Sequence, residues 1–127
     1  MSAEATAGTA PVPLVTLTRR ADFLAAARAR RQARPGMIVQ ARRREAREDS
    51  GAVRVGYTCS KKVGNAVARN RAKRRLRAAA RVVLPGVGRS GWDYVLIGRS
   101  EATAARPFGL LCEDLASAVA ALHGTAG

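Results

Sequence analysis

The sequence predicts one α+β domain, a two-layer sandwich in the order helix, strand, strand, long helix, strand, helix, with room for a short extra strand. Three observations carry that prediction. Val53–Cys59 alternates with period two, and Trp92–Arg99 is apolar on both faces apart from Asp93, the patterns of a half-covered and a covered strand. Between them lies a long segment of helical period. A chain of 127 residues has room for a single modest core.

Residues 1–13, MSAEATAGTAPVP, lack periodicity and read as a flexible tail before a domain spanning 14–127. They do not make a secretory signal: Glu4 stands where basic residues and then an apolar stretch are needed. No run approaches the roughly 18 apolar residues of a membrane span, so a cytoplasmic protein without membrane association is expected. The first helix is predicted over Arg20–Arg31, with Asp22 in its opening turn and Phe23, Ala26, Ala27 and Arg30 on one side. Phe23 fits two roles, a core anchor or a stacking platform for an unpaired base.

Gly36–Arg42 reads as a strand that sets Met37, Val39 and Ala41 against Ile38, Gln40 and Arg42, and the sequence allows a short pairing near Gln32. Arg43–Gly51 mixes acids and bases and ends in the turn signal Ser50-Gly51. In the next strand Val53, Val55, Tyr57 and Cys59 share one face, and Arg54, Gly56 and Thr58 the other. A strand glycine weakens a sheet unless something approaches its backbone closely. For Gly56 that neighbour is a packed helix or an RNA segment; otherwise the glycine marks a sheet irregularity.

Ser60–Leu84 reads SKKVGNAVARNRAKRRLRAAARVVL and holds nine Lys or Arg and no acid. Ala68, Ala72, Leu76, Ala79 and Val83 form a narrow apolar seam at 100° per residue. Asn70, Lys73, Arg74, Arg77 and Arg81 lie opposite, flanked by Arg69, Arg71 and Arg75. Gly64 and Asn65 suit the helix entry, and Pro85-Gly86 predicts a stop at Leu84. Lys61 and Lys62 then stand at a helix N-terminus, where free N–H groups favour anions. A solvated helix face interleaves acids at i, i+4; like charges at that spacing cost a few tenths of a kcal/mol per pair. Their concentration here fits a polyanion partner, as does a net charge of +14 with a pI near 11.6.

Gly86–Gly91 spells GxGxxG, but it follows a helix and precedes a strand, the reverse of a dinucleotide-binding turn. It is a glycine-rich connection. The last helix is predicted over Arg106–Leu122, with Leu111, Leu115, Ala118 or Val119, and Leu122 inside and His123 solvated just beyond. Cys59 and Cys112 make no metal-type spacing with each other or with His123 and read as buried thiols. The nine acids are scattered, so no protein active site is expected.

Ser60-Lys61-Lys62-Val63-Gly64-Asn65-Ala66-Val67, then Arg69-Asn70-Arg71, Lys73-Arg74 and Leu76-Arg77, resembles the signature of the bacterial ribonuclease P protein component. The likeness runs from about Leu17 through RVGYTCSKK and WDYVLIGR to the last helix. It implies a left-handed β-α-β crossover, where ordinary chirality predicts a right-handed one. It also implies a subunit bound to a catalytic RNA that removes the 5′ leader of precursor tRNA, with magnesium ions held by the RNA and no cofactor or small-molecule substrate on the protein. Carried onto this sequence, the RNA contacts are Lys61, Lys62, Asn65, Arg69, Asn70, Arg71, Lys73, Arg74, Arg77 and Arg81, and the leader cleft lies at Phe23, Gln40 and Arg54. Ala27 and Gln40 depart from the pattern, standing where relatives more often carry aromatics. The competing reading is a ribosomal or general RNA-binding protein without a processing role.

Overall fold

The computed structural model describes residues 14–45 and 51–124. Strand β1 is Leu14–Thr16, helix α1 Arg20–Ala27, β2 Arg30–Ala33, β3 Met37–Arg43 and β4 Val53–Cys59. A 3-10 turn at Lys61–Val63 leads into α2, Ala66–Val87. Strand β5, Trp92–Gly98, the short α3, Ala102–Ala105, and α4, Phe108–Gly124, complete the chain.

One five-stranded sheet runs in the order β1-β4-β5-β3-β2. The central pair, β4 and β5, is parallel, and α2 is the crossover that joins them. Alternation along β5 assigns its two faces. Tyr94 and Leu96 enter the main core with Met37, Val39, Val55, Leu76, Leu84, Leu111 and Leu115, beneath α2 and α4. Val95 and Ile97 face the other way and meet Leu17, Phe23 and Ala26 under α1. Each fully buried leucine contributes roughly 1.5–3 kcal/mol relative to exposure, and α2 and α4 supply most of these leucines.

Several elements differ from expectation. The first helix stops at Ala27, and Arg30–Ala33 instead forms β2, paired antiparallel with Ile38–Ala41. Arginine and alanine favour helix, but the tertiary pairing overrides them. Leu14–Thr16, which lacks its own periodic signal, becomes a parallel edge strand on Val53–Val55. Helix α2 passes through Pro85 to Val87: the proline removes a single N–H, and the turn is closed by Gly88 N donating to Leu84 O at 2.7 Å. The buried side of α2 is Ala72, Leu76, Ala79, Ala80 and Leu84, rotated from the predicted seam because the helix packs on both the sheet and α4.

The last helix begins at Phe108, after Pro107, and α3 precedes it. His123 lies inside that helix and is 7% exposed, so its predicted solvation is overturned. Its ring meets Trp92 edge-on at 4.5 Å, and its Nε2 lies 2.7 Å from Tyr94 Oη. The thiols of Cys59 and Cys112 are free and half-buried rather than buried. The expected tail at 1–13 and most of the expected turn before Gly51 fall outside the described residues.

Candidate RNA interface

The entry to α2 is fixed by four local interactions. Ser60 Oγ accepts from Lys62 N at 3.2 Å, which starts the 3-10 turn. Gly64 has φ 137°, a conformation L side chains avoid, and a Cβ there would fall 2.9 Å from Ala68 Cβ. Asn65 Oδ1 accepts from Ala68 N at 2.9 Å, a cap worth about 1 kcal/mol. Arg69 Nη1 donates to Gly64 O at 2.7 Å and braces the loop from inside the helix. Lys61 and Lys62 are thereby held exposed beside the first N–H groups of α2.

Along the helix Asn70, Arg71, Arg74 and Arg81 are exposed, while Arg69, Lys73 and Arg77 are half-buried. Among the described residues no α2 cation meets an acidic side chain within ion-pair distance. Arg75 differs from its neighbours. Its Nη1 and Nη2 donate to Ala104 O and Arg106 O, both at 2.6 Å, and latch α2 to the α3–α4 corner. Sequence spacing put Arg75 beside the RNA-facing cations; the structure gives it to the fold.

Arg77 turns toward the sheet, its guanidinium 4.9 Å above the centre of the Tyr57 ring, a cation–π contact. Burial raises the Tyr57 phenol above its ordinary pKa despite the opposing charges of Arg77 and Arg81. Tyr57 also borders a groove of about 490 Å³ between α1 and the sheet, which Thr18, Arg20, Phe23, Leu24, Ala27, Gln40, Thr58 and Ile97 help to line. The cationic helix and the groove therefore share one residue. That junction is open because β1 pairs only as far as Val55, leaving the Tyr57–Cys59 stretch of β4 uncovered by it. Alternation alone marks Tyr57 as facing the core; the edge position follows from the length of β1, which carried no sequence signal.

Phe23 is half-buried and packs as its core-anchor reading expects. Its ring covers Gly56, where an added Cβ would meet Phe23 Cε1 at 2.5 Å, while the rest of it walls the groove. The close neighbour of Gly56 is thus a packed helix. Gln40 and Ala27 lie in the same groove. Arg54 is not among its lining residues. The Arg54 guanidinium forks onto Asp93, Nε to Oδ1 and Nη2 to Oδ2 at 2.7 Å each, and lies 3.4 Å from Asp22 Oδ1.

Asp93 is wholly buried in β5 and also receives Arg44 Nη1 at 2.7 Å and Arg42 Nη1 at 3.4 Å. Burial alone would raise its pKa, but the hydrogen bonds and charges of Arg54 and Arg44 outweigh that and hold the carboxyl below its ordinary range. This network braces the sheet behind the groove. Among the described residues no three His, Cys, Asp or Glu side chains gather into a group that could hold a metal ion.

A one-sided cationic helix on a sheet, joined to a groove with an aromatic wall, defines a small basic α+β protein with a surface suited to a polyanion. The chain belongs to the Ribonuclease P family, whose model matches residues 14–123. It is 67% identical over 107 residues to the ribonuclease P protein component of Ruegeria pomeroyi, covering 84% of this chain and 85% of that one. With its counterpart from Paramagnetospirillum magneticum it shares 50% over 105 residues, covering 81% and 78%. The fold resembles the RNase P protein of Staphylococcus aureus, with a TM-score of 0.64 at 25% identity over 82% of this chain and 91% of that one. For the RNase P protein of Thermotoga maritima the TM-score is 0.64 at 26% identity, over 80% and 92%.

Proposed function

We propose that this chain is the protein subunit that binds the catalytic RNA of ribonuclease P through α2 and its Lys61-Lys62 entry, and guides the 5′ leader of precursor tRNA along the Phe23 groove. The observation that carries the reading is the acid-free cationic face of α2 meeting that groove at Tyr57. Guanidinium and ammonium groups between two polyanions lower their repulsion, so assembly and substrate docking need less free magnesium. Asn65 spends its oxygen on the helix cap, which leaves its amide N–H groups for RNA. Hydrolysis belongs to the RNA in this proposal, and any magnesium it requires would be held there; no step is assigned to an ion on the protein. The site of action is the cytoplasm; among the described residues no helix is long and apolar enough to cross a membrane.

The deciding experiment is 5′ processing of a precursor tRNA by a bacterial ribonuclease P RNA at low magnesium, with and without the protein. Cleavage at the mature 5′ end that requires both components is expected. Absence of stimulation by folded, RNA-bound protein would favour a general RNA-binding role, and cleavage by the protein alone would locate the chemistry in the polypeptide.

Phe23→Ala separates the groove from the helix. Loss of one base stack is expected to weaken leader binding by about 1–3 kcal/mol, leaving the salt dependence unchanged because no phosphate contact is lost. Binding isotherms at several salt concentrations check this, with a melting curve to measure the packing lost over Gly56. A changed salt slope would count against a stacking role.

A further inference from the structure

A second basic cavity lies at the other end of α2 from Lys61 and Lys62. Helix α2 has 22 residues and is roughly 33 Å long at 1.5 Å per residue. Arg30 at the start of β2, Arg43 at the end of β3, Arg89 in the α2–β5 connection, Trp92 and His123 border a space of about 380 Å³ there. None of these residues belongs to the interface described above.

The chemistry of its walls is one-sided. Arg43 and Arg89 are exposed and, among the described residues, meet no acidic side chain within ion-pair distance. Arg30 Nη1 donates to Leu122 O at 2.7 Å, which fixes that guanidinium against the end of α4. His123 contributes a donor assigned from its network. Tyr94 Oη accepts from Arg89 N at 2.9 Å, and its own buried proton needs an acceptor, which His123 Nε2 supplies at 2.7 Å. The imidazole proton therefore sits on Nδ1, a buried atom with no hydrogen-bond partner in the structure. Burial first, then the charges of Arg89 and Arg30, push the His123 pKa down.

We infer that this cavity binds a phosphate group, as a second anchor for an RNA strand remote from the α2 entry. Guanidinium groups suit a phosphate through paired N–H donors, and those of Arg30, Arg43 and Arg89 border this one space. The shared chemistry is the phosphate. An RNA phosphodiester and free inorganic phosphate are its two sources, and the charge of the whole protein favours the polymer.

Trp92 is the sole tryptophan, so intrinsic fluorescence reports on this cavity. The folded chain is titrated with sodium phosphate at constant ionic strength balanced by chloride, and separately with oligouridylate. A saturable change with phosphate is expected, with an affinity about tenfold or more weaker in Arg43→Ala/Arg89→Ala, since each charged hydrogen bond lost is a strong one. Phosphate should also raise the His123 pKa, read from its ring proton shifts in the wild type. Should the double variant melt early, Arg43→Lys/Arg89→Lys replaces it: keeping charge but losing the planar fork, it is expected to bind with intermediate affinity. A linear, non-saturating response, or an unaltered phosphate curve in a folded double variant, overturns the site. A saturable oligouridylate response that the variant loses assigns the site to RNA; a response to phosphate alone keeps the site and assigns it to the free anion.

Discussion

Asp93→Ala is expected to destabilise the fold by about 3–5 kcal/mol, the usual cost of removing one partner from a buried ion pair. The carboxylate stands among the guanidinia of Arg42, Arg44 and Arg54, and the Arg44 side chain is itself fully buried. Without Asp93 those cations repel one another in a medium that solvates them poorly. Urea unfolding of wild type and variant measures the loss; a change under 1 kcal/mol would mean that water replaces the carboxylate. The pH dependence adds a second readout. A carboxyl whose folded pKa is lowered contributes stability that is complete above its unfolded value, about 3.9, and is lost as pH falls through the lower folded value. Wild type should therefore lose stability on acidification below about pH 4, and Asp93→Asn should lose less over the same window.

Replacing Arg71, Arg74 and Arg81 together by Ala is expected to weaken RNA binding by about two to three orders of magnitude near 0.1 M salt and to reduce the log-log salt slope by roughly two to three, given about 0.7–0.9 per neutralised phosphate. All three are exposed and support no packing, so the melting temperature should hold or rise as like-charge repulsion on the helix falls. Arg75→Ala is the control from the same helix: it breaks the latch to Ala104 and Arg106, so its effect should appear in stability more than in the salt slope. An unchanged slope in the triple variant would move the RNA to another face.

The cationic helix was legible because charge and period coincide over its whole length, and its cap at Asn65 follows from one side chain. The inner stripe of α4 was equally legible, with Leu111, Leu115, Ala118, Val119 and Leu122 all buried. What escaped depends on neighbours distant in sequence. Arg30 and Arg31 look helical until β3 captures them as a strand, and His123 looks terminal until Trp92 and Tyr94 enclose it. The groove was half readable: the family resemblance pointed to Phe23 and Gln40, whereas Tyr57 joins it because a three-residue strand stops short. Arg54, assigned to the cleft from that resemblance, is taken up by two carboxylates that no local pattern links to it.

The parallel pairing of β4 with β5 also governs the order of events in synthesis. Among the described strands only β2 and β3 are neighbours joined by a short turn; β4 has β1 on one side, but its central partner, residues 92–98, comes later in the chain. Closing so distant a contact is slow, and mixed α/β topologies fold between the roughly microsecond-to-millisecond scale of helical bundles and the roughly millisecond-to-second scale of all-β folds. The whole of α2 leaves the ribosome before the strand that finishes its platform. A nascent chain thus presents its densest positive charge while its sheet is still incomplete, so nearby polyanions meet the helix before the fold has closed behind it.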